Sequence, residues 1–116
     1  MIWRVPPETA PLVHAITAKA YDAGASLVDT VWLDDGMDLA RIQHAPDDSL
    51  EEFPAWMVNA LLEHVKNGGA LIAASGRNPD LFRGQDEERV ARVQKTYVQH
   101  IQPVMSYVTK SEINWL

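Results

Sequence analysis

The chain has 116 residues, of which 47% are hydrophobic and 22% charged, so it holds one folded domain at most and is not intrinsically disordered. Its net charge of −6, without any cluster of Lys and Arg, argues against nucleic-acid and anionic-membrane partners. The lack of cysteine excludes disulfides and cysteine nucleophiles, no apolar run reaches the roughly 20 residues of a membrane span, and we expect a cytoplasmic protein.

The first half of the chain alternates between strand and helix patterns. The predicted elements are a strand Ile2–Val5, a helix from Thr9 to Gly24, a strand Ser26–Leu33 and a short helix Met37–His44. Pro6-Pro7 closes the first strand, because proline removes a ladder donor. Thr9 is a typical N-cap and Gly24 a typical residue after a helix end. The composition of Asp34-Asp35-Gly36 predicts a turn. The expected apolar side of the first helix consists of Leu12, Ile16, Ala20 and Tyr21.

The second half continues the alternation. The predicted elements are a helix Phe53–Lys66, a strand Ala70–Ala74, a long helix starting at Gln85-Asp86 and a final strand Ile113–Leu116. Ala70–Ala74 is apolar without alternation, as in a strand that is covered on both faces. Pro103 is expected to kink or end the long helix, with Val104–Thr109 as a second piece. The expected apolar face of the preceding helix consists of Phe53, Met57, Ala60, Leu61 and His64.

This alternation predicts the fold class. Strands and helices joined by short loops form right-handed βαβ units around a parallel sheet. We therefore expect residues 1–116 to form a single α/β domain, a three-layer αβα arrangement of Rossmann-like type with three to four mostly parallel strands. Such a sheet is thin for an independent domain, and both chain ends have strand character, so we expect a fragment of a larger protein.

Candidate functional residues lie where α/β sheets bind ligands, beyond the carboxyl ends of the strands. Asp34 follows the second strand, and Arg77 and Asn78 follow the third. Asp34 suits a metal or acid/base role, or is a solvated turn residue. Arg77 suits a carboxylate or phosphate, or is an ordinary loop arginine. The four histidines lack the spacing of a zinc helix, and no glycine-rich phosphate loop is present, so none of these features names a reaction.

Tryptophans near the two ends of the chain point to an association surface. If the sheet has lost a neighbouring domain, its strand edges and apolar faces are expected to pair with another copy. Trp3, Trp115 and Leu116 are the residues expected at that contact.

Several short segments of the chain occur in the same order as similar segments in a known protein family. They are the proline-to-helix entry Val5–Val13, the helix end Ala20–Ala25, the strand end at Asp34, Pro54-Ala55-Trp56, Gly69-Ala70, the loop Gly76–Asp80, Glu88-Arg89-Val90, Pro103 and Trp115. Together they make nearly the whole chain resemble the N-terminal domain of the thermophilic metallo-aminopeptidases, the aminopeptidase T and aminopeptidase S type.

The resemblance implies a parent exopeptidase that removes N-terminal residues from peptides with two divalent metals, zinc, cobalt or magnesium. The family's Glu, His, Asp and Tyr ligands belong to a C-terminal catalytic domain, which would follow Leu116, so no catalytic residue or metal ligand is assigned in this chain. The family also implies a dimer whose N-terminal domain helps to enclose the active-site cavity, with Arg77, Asn78 and Asp34 as wall candidates. The alternative is a free-standing α/β binding or oligomerisation module without enzymatic activity.

Overall fold

The computed structural model describes residues 1–73 and 78–109, with side chains up to residue 107. Its elements are β1 (Ile2–Val5), α1 (Ala10–Asp22), β2 (Thr30–Trp32), α2 (Asp35–His44), α3 (Ala55–Lys66), β3 (Ile72–Ala73) and α4 (Glu87–Thr109), with short 3-10 turns at Pro7–Thr9 and Asp47–Ser49. The predicted strand Ile113–Leu116, and with it Trp115, lies outside the described residues.

The three described strands form a parallel sheet in the order β2-β1-β3. Ile2 pairs with Thr30 on one side and with Ile72 on the other, which makes β1 the central strand. Each connection carries at least one helix, as parallel pairing requires. The predicted α/β class is therefore confirmed.

Helices cover both faces of β1. Ile2 and Val5 are buried against Val13 of α1, with Ile16 packed beside them. Trp3, which is 7% exposed, faces the other way into a larger cluster. That cluster comprises Val58, Leu61 and Val65 of α3, Leu71, and Ile101 and Val104 of α4. The sheet thus lies between α1 and the α3–α4 pair, which gives the three expected layers.

Arg4 interrupts the regular alternation of β1. Trp3 pairs with Val31 and Val5 with Trp32, so Arg4 is an extra residue in the ladder with β2. Its φ of 52° lies in the left-handed region that non-glycine residues rarely occupy. Because of this bulge, Val5 returns to the α1 face, and Arg4 is directed toward α4, where Tyr97 lies beneath it.

Several element boundaries differ from the prediction. The strands are shorter than expected, Thr30–Trp32 and Ile72–Ala73. The predicted turn at Asp34–Gly36 is wrong: α2 starts at Asp35, because the Asp34 carboxylate accepts a hydrogen bond from the Gly36 N–H at 2.8 Å and caps the helix. Pro103 does not end α4, which continues to Thr109. Burial of Ile101 and Val104 on either side of the proline favours the helix over the one bond that is lost.

The buried helix faces are also rotated from those predicted. On α1 the buried residue is Val13, while Leu12 and Tyr21 are exposed. On α3 the buried stripe is Val58, Leu61 and Val65, so Leu61 is the one member of the predicted face that is fully buried. Phe53 and Met57 pack partly buried beside that stripe, whereas Ala60 is exposed. Apolar spacing alone did not distinguish these neighbouring stripes.

Candidate functional site

A cleft of about 400 Å³ opens next to the carboxyl end of β1. We call it the Arg4 cleft. Its lining residues come from β1, α2, the segment before α3, the first turn of α3, the segment before α4, and α4 itself. They are Arg4, Asp38, Arg41, Glu52, Phe53, Pro54, Met57, Phe82, Val93, Gln94, Thr96, Tyr97 and Val98. The volume falls in the range of small-ligand pockets, and the position matches the usual ligand edge of α/β sheets.

Arg4 is the basic centre of this cleft. Its guanidinium carbon lies 4.3 Å from the centroid of the Tyr97 ring, a cation–π contact. Its Nη2 lies 4.0 Å from Asp38, which is close enough for an ion pair and too long for a hydrogen bond. The side chain is 18% exposed. A largely buried guanidinium therefore keeps N–H groups without a hydrogen-bond acceptor among the contacts that the structure describes for it.

The aromatic wall of the cleft is held in place by stacking. The Phe53 and His100 rings stack with centroids 4.6 Å apart and planes 12° from parallel. Tyr97 lies on the other side, with its centroid 6.0 Å from that of Phe53. The His100 imidazole is itself fixed, because its Nδ1 donates a hydrogen bond to the Thr96 carbonyl at 2.8 Å. The wall is thus held by contacts within the chain.

Arginines on α2 and α4 fix the segment 45–52 that borders the cleft. Arg41 donates to the Glu52 carbonyl at 2.7 Å. Arg89 donates to the carbonyls of Ile42 at 2.8 Å and Ala45 at 2.6 Å, which ties the start of α4 to the end of α2. The two Arg89 bonds satisfy carbonyls that the end of α2 leaves without partners.

Arg92 completes this set of contacts. It forms a two-pronged pair with the Glu51 carboxylate at 2.6 and 2.8 Å and also contacts Asp47 at 3.0 Å. Hydrogen bonding from Arg92 lowers the pKa of Glu51, and the same contact raises the pKa of Arg92 above its usual value. Both groups are charged at neutral pH, and the network is a structural element of the cleft border.

The residues predicted as site candidates have local structural roles where they are described. Asp34 caps α2, and the Asn78 side chain accepts a hydrogen bond from the Asp80 N–H at 3.0 Å. Neither lines the Arg4 cleft, and Arg77 lies outside the described residues. Of the association candidates, Trp3 belongs to the core, while Trp115 and Leu116 lie outside the described residues. Whether these residues touch substrate or a partner stays a prediction.

The sequence did not indicate that Arg4, Asp38 and Tyr97 lie next to one another. One signal was available, since Arg4 is a charged residue inside the apolar run Ile2–Val5 of the first strand. A buried charge requires a compensating partner, which the sequence does not identify. Within residues 1–73 and 78–109, no group of three or more His, Asp or Glu side chains is placed to hold a metal ion. None of the described helices is long and apolar enough to cross a membrane.

Comparison with known proteins gives a family match over the whole chain. The family described as Thermophilic metalloprotease (M29) matches residues 1–116. Aminopeptidase T of Thermus thermophilus is 30% identical over 115 residues, which are 99% of this chain and 28% of that protein. Aminopeptidase AmpS of Bacillus subtilis is 33% identical over 103 residues, 89% of this chain and 25% of that protein. The chain spans less than a third of the length of these relatives.

A solved structure gives the same result in three dimensions. The structure of wild-type AmpT from Thermus thermophilus matches with a TM-score of 0.93 and 31% identity. The match covers 98% of this chain and 29% of that structure. The αβα arrangement described above is therefore similar to one part of a larger aminopeptidase.

Proposed function

The chain belongs to the thermophilic metalloprotease (M29) family, and on that basis we propose that it is the N-terminal, non-catalytic domain of a divalent-metal-dependent aminopeptidase. The observation that carries this proposal is the match of the whole chain to the N-terminal part of proteins named aminopeptidases. The parent would release N-terminal residues from peptides. In this proposal residues 1–116 form a single α/β domain, and its main partner is the catalytic domain of the same protein.

We propose that the catalytic chemistry belongs to the remainder of the parent protein. Hydrolysis by a pair of metals requires ligands that hold the ions, activate water and polarise the carbonyl. The proposal assigns no metal ligand and no catalytic step to residues 1–116. We propose that two divalent ions, zinc, cobalt or magnesium, are held by Glu, His, Asp and Tyr side chains in the remainder of the parent.

The position of the Arg4 cleft supports a contribution to the substrate cavity. It opens at the carboxyl end of the central strand, the edge at which α/β domains meet their ligands. We propose that this edge helps to enclose the active-site cavity, with Arg77, Asn78 and Asp34 as wall candidates. A peptide would reach the domain through that cavity.

The proposal includes a cytoplasmic homodimer. Trp115 and Leu116 are the candidates for a contact between copies. Trp3, the third residue predicted there, is buried in the core of the domain. Light scattering on a size-exclusion column measures the assembly, and Trp115→Lys is expected to shift it toward monomer. A wild-type protein that elutes as monomer would remove the dimer from the proposal.

The gene and its full product provide the test. We expect the reading frame to continue past Leu116 with codons for Glu, His and Asp ligands. We also expect the complete protein to hydrolyse an aminoacyl chromogenic substrate, to lose that activity to a chelator and to regain it with cobalt, zinc or magnesium. A stop codon directly after Leu116 would instead favour the free-standing binding module. A complete protein without metal-dependent hydrolysis would refute the proposed activity.

A further inference from the structure

The strained conformation of Arg4 indicates a function beyond folding. Left-handed backbone at a residue other than glycine costs folding free energy, and strained residues of this kind cluster at active sites and ligand-binding sites. β-Bulges redirect a side chain and are enriched beside binding sites. Here one residue has both features, a φ of 52° and an extra place in the ladder. Their joint effect is to direct a guanidinium into a cleft at the ligand edge of the sheet.

The surroundings of Arg4 define the kind of group that would bind. The Tyr97 ring lies against the guanidinium at 4.3 Å, and Asp38, at 4.0 Å, is beyond hydrogen-bond distance. Among the contacts that the structure describes, N–H groups of the Arg4 guanidinium fork therefore remain for a planar anionic acceptor. A carboxylate matches that fork with two parallel hydrogen bonds, and low exposure strengthens them.

The rest of the cleft suits an apolar body attached to that carboxylate. Phe53, Met57, Phe82 and Tyr97 supply apolar and aromatic surface. A volume of about 400 Å³ accommodates one or two amino-acid residues rather than a long chain or a cofactor. The second arginine of the described lining, Arg41, is fixed to the border of the cleft, because its Nη2 donates to the carbonyls of Ser49 and Glu52. Arg4 forms no such backbone contact among those that the structure describes, so it is the stronger candidate for holding an anion.

We propose that the Arg4 cleft binds the free α-carboxylate of a short peptide or amino-acid derivative that ends in an apolar residue. Arg4 would hold the carboxylate, and the wall of Phe53, Met57 and Tyr97 would cover the terminal side chain. The link to peptides rests on the proposed function, whereas the chemistry of the cleft stands on the contacts above.

Two probes that differ in one group test the proposal. N-acetyl-L-phenylalanine carries the carboxylate, and N-acetyl-L-phenylalanine amide has the same body without the charge. We expect the acid to bind at least about tenfold more tightly than the amide, because hydrogen bonds to a charged group are the stronger ones. In two-dimensional NMR, the saturable shifts should include the Arg4 Nε–H and the amides of Phe82 and Tyr97.

Matched variants assign the effect to Arg4. Arg4→Asn keeps a residue that tolerates the left-handed backbone and removes the charge, so it should fold and lose the preference for the acid. Arg83→Asn removes an exposed arginine that pairs with Asp80, and it should leave both affinities unchanged. Arg4→Lys should bind with intermediate affinity, because an ammonium lacks the two-pronged fork.

Several outcomes would overturn the proposal. They are equal affinity for acid and amide, no saturable binding of the acid, shifts centred outside the cleft, or an undiminished acid preference in Arg4→Asn. If Arg4→Asn does not fold, the two probes and the Arg4 Nε–H shift in the wild-type protein still decide. Binding by this chain that is absent in the complete protein would mean that another segment fills the cleft, which also overturns the proposal. No hydrolysis is measured, so a failure of the proposed peptidase activity is recognised separately.

Discussion

Replacing Arg89 with methionine tests whether the arginine contacts hold α2 and α4 together. Arg89 is 18% exposed and donates to the carbonyls of Ile42 and Ala45 at the end of α2. Arg89→Met keeps most of the apolar stem of the side chain. It removes both hydrogen bonds and also the 3.4 Å contact with the exposed Asp47 carboxylate, which contributes little. Each bond from a charged donor contributes about 1.5 to 3 kcal/mol. Both bonds are only partly buried, so we expect the lower end of this range for each, a total loss of about 3 kcal/mol.

The assay for this variant is urea unfolding followed by tryptophan fluorescence. The unfolding midpoint should fall while the m-value stays the same, which separates lost stability from a changed unfolded state. Arg83→Met is the matched control, since Arg83 is 79% exposed and pairs with Asp80, three positions earlier in the chain. Exposed pairs of this kind contribute about 0 to 1 kcal/mol. Equal losses in the two variants would refute the assignment of Arg89 as the tie between the helices.

Three further changes test the packing and the electrostatics. Gly69→Ala should destabilise the fold by about 1 kcal/mol in urea unfolding, because the new Cβ would overlap the His64 ring and displace it from its exposed bond to the Ala70 carbonyl; an unchanged midpoint would contradict this packing. Leu61→Ala should cost about 2 to 5 kcal/mol in the same assay, since Leu61 is fully buried between the sheet and α4, and a loss below 1 kcal/mol would argue against this core. The lowered pKa of Glu51 adds stability that is present above the ordinary carboxyl pKa and is lost as the pH falls through the folded-state pKa. In thermal melts, the Glu51→Gln protein should therefore lose less stability on acidification than the wild type. Parallel curves of melting temperature against pH for the two proteins would contradict this.

The layout of the fold could be predicted from the sequence because it depends on local patterns. Pro6-Pro7 closes a strand, the Gly24 φ of 101° ends a helix, and the apolar run at Ala70–Ala74 contains the short strand β3. The start of α2 was missed because Asp34 and Gly36 are equally common in turns and in helix caps. The buried faces of α1 and α3 were predicted incorrectly, because each helix has neighbouring apolar stripes and only the tertiary packing decides which of them is buried.

The cleft could not be predicted because its contacts join distant parts of the chain. The Arg4 bulge exists only once β2 is paired and Tyr97 of α4 lies beneath the guanidinium. No local rule predicts a left-handed arginine, since the favourable contacts that hold it come from tertiary packing. The contacts of Arg89 with Ala45 and of Arg92 with Glu51 likewise connect residues more than 40 positions apart.

Hydrolysis by the purified chain alone tests the central proposal most directly. The chain and the complete protein are assayed side by side on an aminoacyl chromogenic substrate with added cobalt, zinc or magnesium, with and without a chelator. If the chain is a non-catalytic domain, the complete protein turns over the substrate in a metal-dependent manner and the chain does not. Metal-dependent turnover that co-purifies with the chain and is lost to the chelator would contradict the account.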